Sequence, residues 1–299
     1  VNFHSSEYRI EATFLPYHWT LKIQYKKEGG RKQVYWNEKP YQTLGEHIGK
    51  VPLVLVSPND IDLIKGGSPY LRQWINKTLS LLSSTYLNDL LLYRRYLEDY
   101  KKTLLDQKVI HSTLLEVLET KLFQVGRRIT LAREAFFNAF NNLFSMRFQF
   151  FHYDRQARLE YAPTLKSEQN VFSHRRHLYQ KKGRIFDGPH LDRIHILLDG
   201  KDARIYASQG QIKALLFSLK LAEVQIIENQ KGISPILLLD DVGDRLDQSR
   251  LQQLFSYLFQ KESQIFITDT TLERIQSFLS KAHNYQIISL EEGEKKPIS

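Results

Sequence analysis

Two short stretches of this 299-residue chain combine residue types that handle phosphate chemistry. In the first, the aliphatic run Ile236-Leu237-Leu238-Leu239 ends in Asp240 and Asp241. A buried strand that ends in carboxylates delivers them to the C-terminal edge of a sheet, where open α/β sheets bind their ligands. There one carboxylate can hold Mg²⁺ through water while the next orients or deprotonates an attacking water. A strand that simply ends in two solvated acids gives the same pattern. In the second stretch, Ala207-Ser208-Gln209-Gly210-Gln211 precedes a long amphipathic segment. Small residues and a hydroxyl at a helix start leave free N–H groups and the positive end of the helix dipole facing an anion. A plain helix cap at Ser208 uses the same residues with no ligand. Asp247 is in the position of an N-cap for the next helix.

The elements that must position these groups follow from periodicity. From Val1 to about Val56 the pattern is β-rich: Tyr8, Ile10, Ala12 and Phe14 alternate with polar residues, as do Leu21, Ile23 and Tyr25. Strands are also expected at Gln33–Trp36 and Val51–Val56. From Ser68 to about Phe150 the period lengthens. Tyr86, Leu90, Tyr93, Leu97, Tyr100 and Leu104 keep 4-3 spacing, and so do Leu115, Leu118, Leu122, Val125, Ile129, Ala132 and Phe136. A break near Asp106–Ser112 separates the two seams, so the spacing predicts an antiparallel helical hairpin, extended by a shorter helix after Pro69. Beyond Phe150 the expectations are a strand around Leu159 and Tyr161 and a His-, Arg- and Lys-rich loop over His174–Arg184. Further strands are expected at Ile194–Leu198, Arg204–Ala207, Ile236–Leu239 and Gln264–Thr268. Helices are expected at Gln211–Gln230, Gln248–Phe259 and Leu272–Leu279. Such strand–helix–strand alternation implies a parallel sheet. The expected organisation is an α/β head in two parts, 1–67 and 151–299, interrupted by a helical lobe over 68–150.

Composition bounds the partners. The chain is 42% hydrophobic and 25% charged, ordinary for a globular protein. It has no cysteine, which removes disulfides, thiolate zinc sites and cysteine nucleophiles. No apolar run approaches the roughly 18 residues of a membrane span, and the opening residues lack the features of a secretory signal; a cytoplasmic location is the expectation. The formal charge of +9 and a pI near 9.4 favour polyanionic partners. Two basic groups are candidates for DNA phosphate contacts: Arg94, Arg95, Lys101 and Lys102, and Arg175, Arg176, Lys181, Lys182 and Arg184. Either could equally be a solvated face. His174 and His177 have no further ligands beside them and do not make a metal site.

Order and spacing connect these pieces. Small-Ser-x-Gly-Gln at a helix start, an aliphatic-Asp-acid strand about 30 residues later, then Leu246-Asp247 and a Phe-Ile-Thr strand, resembles the linear layout of an ABC-type ATPase head. The resemblance becomes specific to the RecF family at Gly188-Pro189-His190-Leu191-Asp192 and Tyr206-Ala207-Ser208-Gln209-Gly210-Gln211. Lys220-Leu221-Ala222-Glu223, Leu237-Leu238-Leu239-Asp240-Asp241-Val242, Ser57-Pro58-Asn59-Asp60, Gly67-Ser68-Pro69 and Tyr93-Arg94-Arg95 continue it. The similarity runs from about Tyr8 to Gly293. It implies a weak ATPase of recombinational repair and replication-fork maintenance. Such a protein binds single- and double-stranded DNA as an ATP-closed homodimer and acts with RecO and RecR to help load RecA. On that resemblance Asp240 holds Mg²⁺ and Asp241 polarises the hydrolytic water. Ser208, Gln209, Gly210 and Gln211 meet ATP bound to the opposite subunit, and Asp244, Leu246 and Asp247 belong to the D-loop at the dimer seam. Asp269 stands where many ABC proteins carry a switch histidine.

The chain also departs from the family pattern. Gly-x-x-x-x-Gly-Lys-Ser/Thr, the phosphate-cradling P-loop, occurs nowhere in it. Leu191 and Lys213 replace arginines, and Asn76 stands where an Asp is typical. The expectation is either a fragment whose P-loop lies upstream of Val1, or a non-catalytic partner that has lost its own nucleotide site and lends its Ser208 loop to another ATPase subunit. The intact Ser208 loop and Asp240–Asp241 pair favour the fragment.

Overall fold

A computed structural model of the chain describes residues 6–27, 30, 32–105, 112–151, 154–165, 168, 170–241, 248–279, 284–291 and 294–298. It divides into two compact units, Val1–Val51 and Pro52–Ser299. In the first, β1 (Glu7–Phe14), β2 (Trp19–Lys26), β3 (Lys32–Trp36) and β4 (Lys39–Pro40) form an antiparallel sheet in sequence order. Register pairs Ile10 with Ile23 and Ile23 with Val34. The alternating apolar residues of the sequence therefore share one face, as a period of two requires. Trp19 and Trp36 join Phe14 and Tyr17 there in an aromatic cluster.

The second unit begins with β5 (Leu53–Val56), a 3₁₀ turn over Pro58–Ile61, α1 (Asp62–Lys65) and α2 (Ser68–Leu82). Then come α3 (Ser84–Leu105) and α4 (Ser112–Phe150), the expected hairpin. Contacts between Tyr86 and Arg133, Asp89 and Arg128, and Tyr100 and Glu119 show that the two helices run antiparallel. The seam residues are buried, apart from the partly buried Leu97 and Ala132. Gly126 lets the pair approach closely: a Cβ there would sit 3.3 Å from the Tyr93 ring. The second half of α4 is an aromatic spine, Phe136, Phe140, Phe144 and Phe148, against which Trp74 packs edge-on.

The chain then returns to the head through β6 (Ala157–Ala162), α5 (Val171–Lys182), β7 (Arg193–Leu198), β8 (Lys201–Asp202), α6 (Ala203–Tyr206) and α7 (Gln209–Lys231). After these follow β9 (Ile236–Asp240), α8 (Gln248–Leu258), β10 (Ile265–Thr268), α9 (Glu273–Leu279), β11 (Ile287–Glu291) and β12 (Glu294–Ile298). Strands β10-β9-β5 form the expected parallel sheet, with Val56 opposite Leu239 and Thr268 opposite Asp240. Strands β6-β7-β8 form a separate antiparallel sheet. Two expectations fail. Arg204–Ala207 is not a strand: Ala203–Tyr206 is a helical turn, because the Asp202 carboxylate caps the Arg204 N–H. His174–Arg184 is not a loop. Its charges hide Phe172 and Tyr179, seven residues apart and fully buried, which make α5 a packed helix ended by the left-handed Gly183.

One buried cluster ties the hairpin to the head. The guanidinium of Arg133 donates to the Asp192 carboxylate at 2.6 Å, the Pro189 carbonyl at 2.7 Å, the Tyr86 hydroxyl at 3.1 Å and the Asn76 amide oxygen at 2.9 Å. Asp192 also accepts from the Tyr161 hydroxyl and from the Thr164 backbone N–H at 2.9 Å. Both charged side chains are essentially inaccessible, at 1% and 0% exposure. Beside them Gly188, at φ +126°, has no room for a side chain; a Cβ would fall 2.0 Å from the Tyr93 hydroxyl. That hydroxyl instead meets His190 Nδ1 at 2.9 Å.

Breaking a buried pair from one side strands a charge. Arg133→Met should lower the unfolding free energy in urea by about 3–5 kcal/mol, whereas Arg9→Met, in an exposed pair, should leave it nearly unchanged. Burial also holds the His190 imidazole down at about 4. The unfolded chain, titrating near 6.5, takes up that proton first, so the stability present above that pH is lost as pH falls towards 4. His190→Gln should remove about 3 kcal/mol of pH dependence from that window, read as a flatter plot of urea midpoint against pH.

Candidate functional site

The parallel sheet brings three of the sequence-predicted acids to one edge. Asp240 is the last residue of β9 and is exposed; its Oδ1 accepts from the Thr268 hydroxyl of the neighbouring strand at 2.5 Å. Asp241 follows in a left-handed conformation, φ +52°, while its N–H still donates to the Thr268 carbonyl at 3.0 Å. The turn swings the side chain out of the strand alternation and leaves Asp241 Oδ1 buried without a hydrogen-bond partner. Among the described residues it is the one carboxylate so placed. Asp269, at the end of β10, accepts from the Thr271 N–H at 2.9 Å, an Asx-type turn that fixes its direction. Asp244, Leu246 and Asp247 lie outside the described residues.

The second element is the start of α7. Ser208 Oγ accepts from the Gln211 N–H at 3.3 Å and Gln211 Oε1 accepts from the Ser208 N–H at 2.8 Å, a reciprocal capping box. The box holds the turn open to solvent, with Ser208 and Gln209 exposed and Gly210 half-buried. The first N–H groups of the helix have no intrahelical acceptor. Lys65, at the end of α1, donates to Gln209 Oε1 at 3.3 Å and puts a cation beside this turn. Sequence reasoning missed Lys65, and no spacing rule finds a partner 144 residues away.

Helix α7 is pinned to the head further along its length. Lys220 pairs with Asp60 at 3.3 Å, Asp60 itself accepting from the Ser57 N–H directly after β5. Glu223 accepts from the Thr78 hydroxyl at 2.6 Å. From Lys220 back to Ser208 is twelve residues, about 18 Å of helix. The Ser208 turn therefore stands well away along the helix from the turn pinned near the strand ends.

The structure sorts the basic candidates. Arg94, Arg95, Lys101 and Lys102 are exposed on α3, with Arg95 3.9 Å from Asp99. On α5, Arg175 is turned inward to Asp187 at 2.8 Å, and Arg176 makes a two-pronged pair with Glu119 at 2.8 and 2.9 Å. Lys181, Lys182 and Arg184 are exposed. Among the described residues no group of three or more His, Asp or Glu gathers as a metal cage. Mg²⁺ does not need one, since it is usually held by one or two carboxylates together with water and substrate phosphates; Asp240 fits that role. No helix of the described residues is long and apolar enough to cross a membrane.

A parallel sheet with an acid-ended strand, a capped Ser-x-Gly-Gln helix and an inserted helical hairpin defines an ABC-type ATPase head. No family model matches the chain. It is 34% identical over 275 residues to the DNA replication and repair protein RecF of Parabacteroides distasonis, covering 90% of this chain and 74% of the relative. It is 31% identical over 312 residues to RecF of Staphylococcus epidermidis, covering 98% and 83%. A solved structure of the recombination mediator protein RecF with ATP, from the RecFOR pathway, superposes on all of this chain and 82% of its own with a TM-score of 0.86 at 26% identity. A companion structure, RecF-ATPrS, gives 0.85. The chain belongs to the RecF family.

A buried, unpaired carboxylate oxygen on a left-handed non-glycine residue weakens the fold locally. Asp241→Gly should therefore raise the urea midpoint, by about 1 kcal/mol of stability. A midpoint lowered by that amount would mean that Asp241 holds the β9 edge together.

Proposed function

We propose that this chain works as a RecF-type, ATP-dependent DNA-binding head in recombinational repair and replication-fork maintenance. It closes with a second head over ATP and acts with RecO- and RecR-type partners to help load a RecA-type recombinase. The observation that carries the reading is that one unit presents two groups suited to phosphate: Asp240 and Asp241 at the end of β9, and the capped, accessible Ser208 turn at the start of α7. In this reading each group completes a site on a partner. In that arrangement Asp240 carries Mg²⁺ and Asp241 orients water. Asp269 senses the γ-phosphate, and Ser208, Gln209, Gly210 and Gln211 cap the nucleotide of the opposite head. Magnesium neutralises phosphate charge. The sheet edge supplies a fixed direction for the water, because the Asp241 backbone is tied to Thr268.

The exposed basic residues of α3 and α5 contribute phosphate contacts to single- or double-stranded DNA, with sequence-independent, salt-sensitive affinity. A second reading has one specific observation behind it. The chain contains no Gly-x-x-x-x-Gly-Lys-Ser/Thr, yet its Ser208 turn is intact and accessible. A head of this kind serves as a partner that lends the turn to another subunit's ATP.

Anisotropy of a labelled duplex, with and without MgATP, tests the reading. MgATP should tighten binding by about tenfold, in proportion to dimer formed, and Ser208→Arg should remove that gain while leaving nucleotide-independent binding intact. Equal affinity with and without MgATP counts against the ATP-closed dimer. An ATP effect that appears only after a nucleotide-binding RecF-family subunit is added selects the second reading.

A further inference from the structure

Two lysine pairs that are 80 residues apart in sequence, Lys101-Lys102 and Lys181-Lys182, meet at one end of the helical hairpin. Three contacts seat α5 across the last turns of α3 and the first turns of α4. Phe172 packs edge-on against Tyr100, with ring centres 6.1 Å apart. Arg176 and Tyr100 both bond Glu119 of α4. At the far end of α5, Gln180 Nε2 donates to the Leu104 carbonyl at 3.4 Å. Lys181 and Lys182 directly follow Gln180, and Lys101 and Lys102 lie within one turn of Leu104. All four side chains are exposed.

The fold separates these cations from the neighbouring basic residues. Arg175 and Arg176 are spent on Asp187 and Glu119. None of the four lysines has a carboxylate within 4.0 Å among the described residues, whereas Arg128, further along α4, is paired with Asp89 at 2.6 Å. Cations at a helix C-terminus are ordinarily explained by the dipole, equivalent to about half a charge per helix end. Four ammonium groups at two helix ends exceed that several-fold. What remains is a positive surface whose four ammonium groups form no ion pair among the described residues.

We infer that this composite lysine surface at the hairpin end is the phosphate-contacting surface for nucleic acid, and that Arg175 and Arg176 are internal struts rather than contacts. The inference rests on the DNA-binding part of the function proposed above. The chemistry favours a phosphodiester backbone over an acidic protein. Protein interfaces favour arginine and aromatic anchors and are depleted in lysine, while lysine's compact ammonium suits phosphate contacts that need no fixed orientation.

The test is anisotropy on the 299-residue chain with a labelled duplex and the matching single strand, over a salt series. Lys101→Gln/Lys102→Gln and Lys181→Gln/Lys182→Gln should each weaken binding about tenfold and reduce the slope of log affinity against log salt by about 2. The quadruple variant should lose about twice that slope. Lys26→Gln/Lys39→Gln, two exposed lysines of the first unit, removes the same charge and should change the slope by less than about half a unit. If the parent chain binds DNA and the quadruple variant binds with an unchanged slope, the surface is misassigned although DNA binding stands. If the parent binds neither nucleic acid, DNA binding itself fails. Displacement of DNA by polyglutamate at equal charge, lost in the same variants, would overturn the inference in favour of an acidic protein partner. The single strand and duplex arms show which backbone the surface prefers.

Discussion

The Arg133–Asp192 pair is the interaction on which the larger unit's architecture turns. Moving these two ions out of water carries a penalty of several kcal/mol each, and a lone Coulombic contact does not offset it. The structure offsets it by satisfaction. Asn76 of α2, Tyr86 of α3, Tyr161 of β6, Thr164 and the Pro189 carbonyl all direct polar atoms into the same cluster. Every segment that meets there is fixed relative to the others, because shifting any one of them exposes a buried charge. Arg72 adds a donor to the Asp192 carbonyl at 2.7 Å, so even the backbone of that residue is held. The guanidinium of Arg133 meets one carboxylate, Asp192, and one neutral amide oxygen, that of Asn76.

That rigidity matters because the Asp240–Asp241 edge and the Ser208 turn are on elements that share no hydrogen bond among the described residues. The sheet edge is set by register: Thr268 opposite Asp240 fixes Asp240 by a hydroxyl and Asp241 by a carbonyl. The Ser208 turn is set by α7, whose placement depends on Lys220 and Asp60 at one point and on Glu223 and Thr78 at another. Thr78 is on α2, the helix that also supplies Asn76 to the buried cluster. The hairpin, α2 and α7 are thus joined by a connected set of hydrogen bonds.

How far the sequence reveals this depends on which physical signal each element leaves. The α3 and α4 seams were legible because burial at 4-3 spacing is local, and the residues named from spacing are the ones packed. Parallel β5, β9 and β10 were legible as aliphatic runs with punctuation. The α5 helix was not, since only Val171, Phe172 and Tyr179 mark its packed face and four Lys and Arg residues share the helix with them. Arg133 was not legible either. It sits next to Ala132 of the seam, where a charged residue reads as surface, and only its distant partner Asp192 makes burial affordable. Lys65 beside Gln209 belongs with it: both depend on long-range pairing that no local pattern encodes. The Asp240–Asp241 pair was legible as the end of a buried strand, but the left-handed turn that separates the two acids was not.

The Arg133 cluster and the β9 edge treat their polar groups differently. Buried charges far from the sheet edge are paired: Arg133 with Asp192, Arg175 with Asp187, Arg176 with Glu119. These pairs tie α4 and α5 to the segments around them, and a satisfied network of this kind rigidifies. At the sheet edge the pattern reverses. Asp241 combines a left-handed backbone with an acceptor left without a donor, and the start of α7 keeps backbone donors turned to solvent. A chain selected for stability alone would place Gly or Asn at such a backbone position and bury no lone carboxylate oxygen. Left-handed non-glycine residues also occur at His18, Asn37, Glu38 and Asp199, and buried polar atoms without a partner at Trp74, Arg147, Gln253, Tyr257 and Ser263. What sets Asp241 apart among the described residues is that both features fall on one carboxylate, directly after β9.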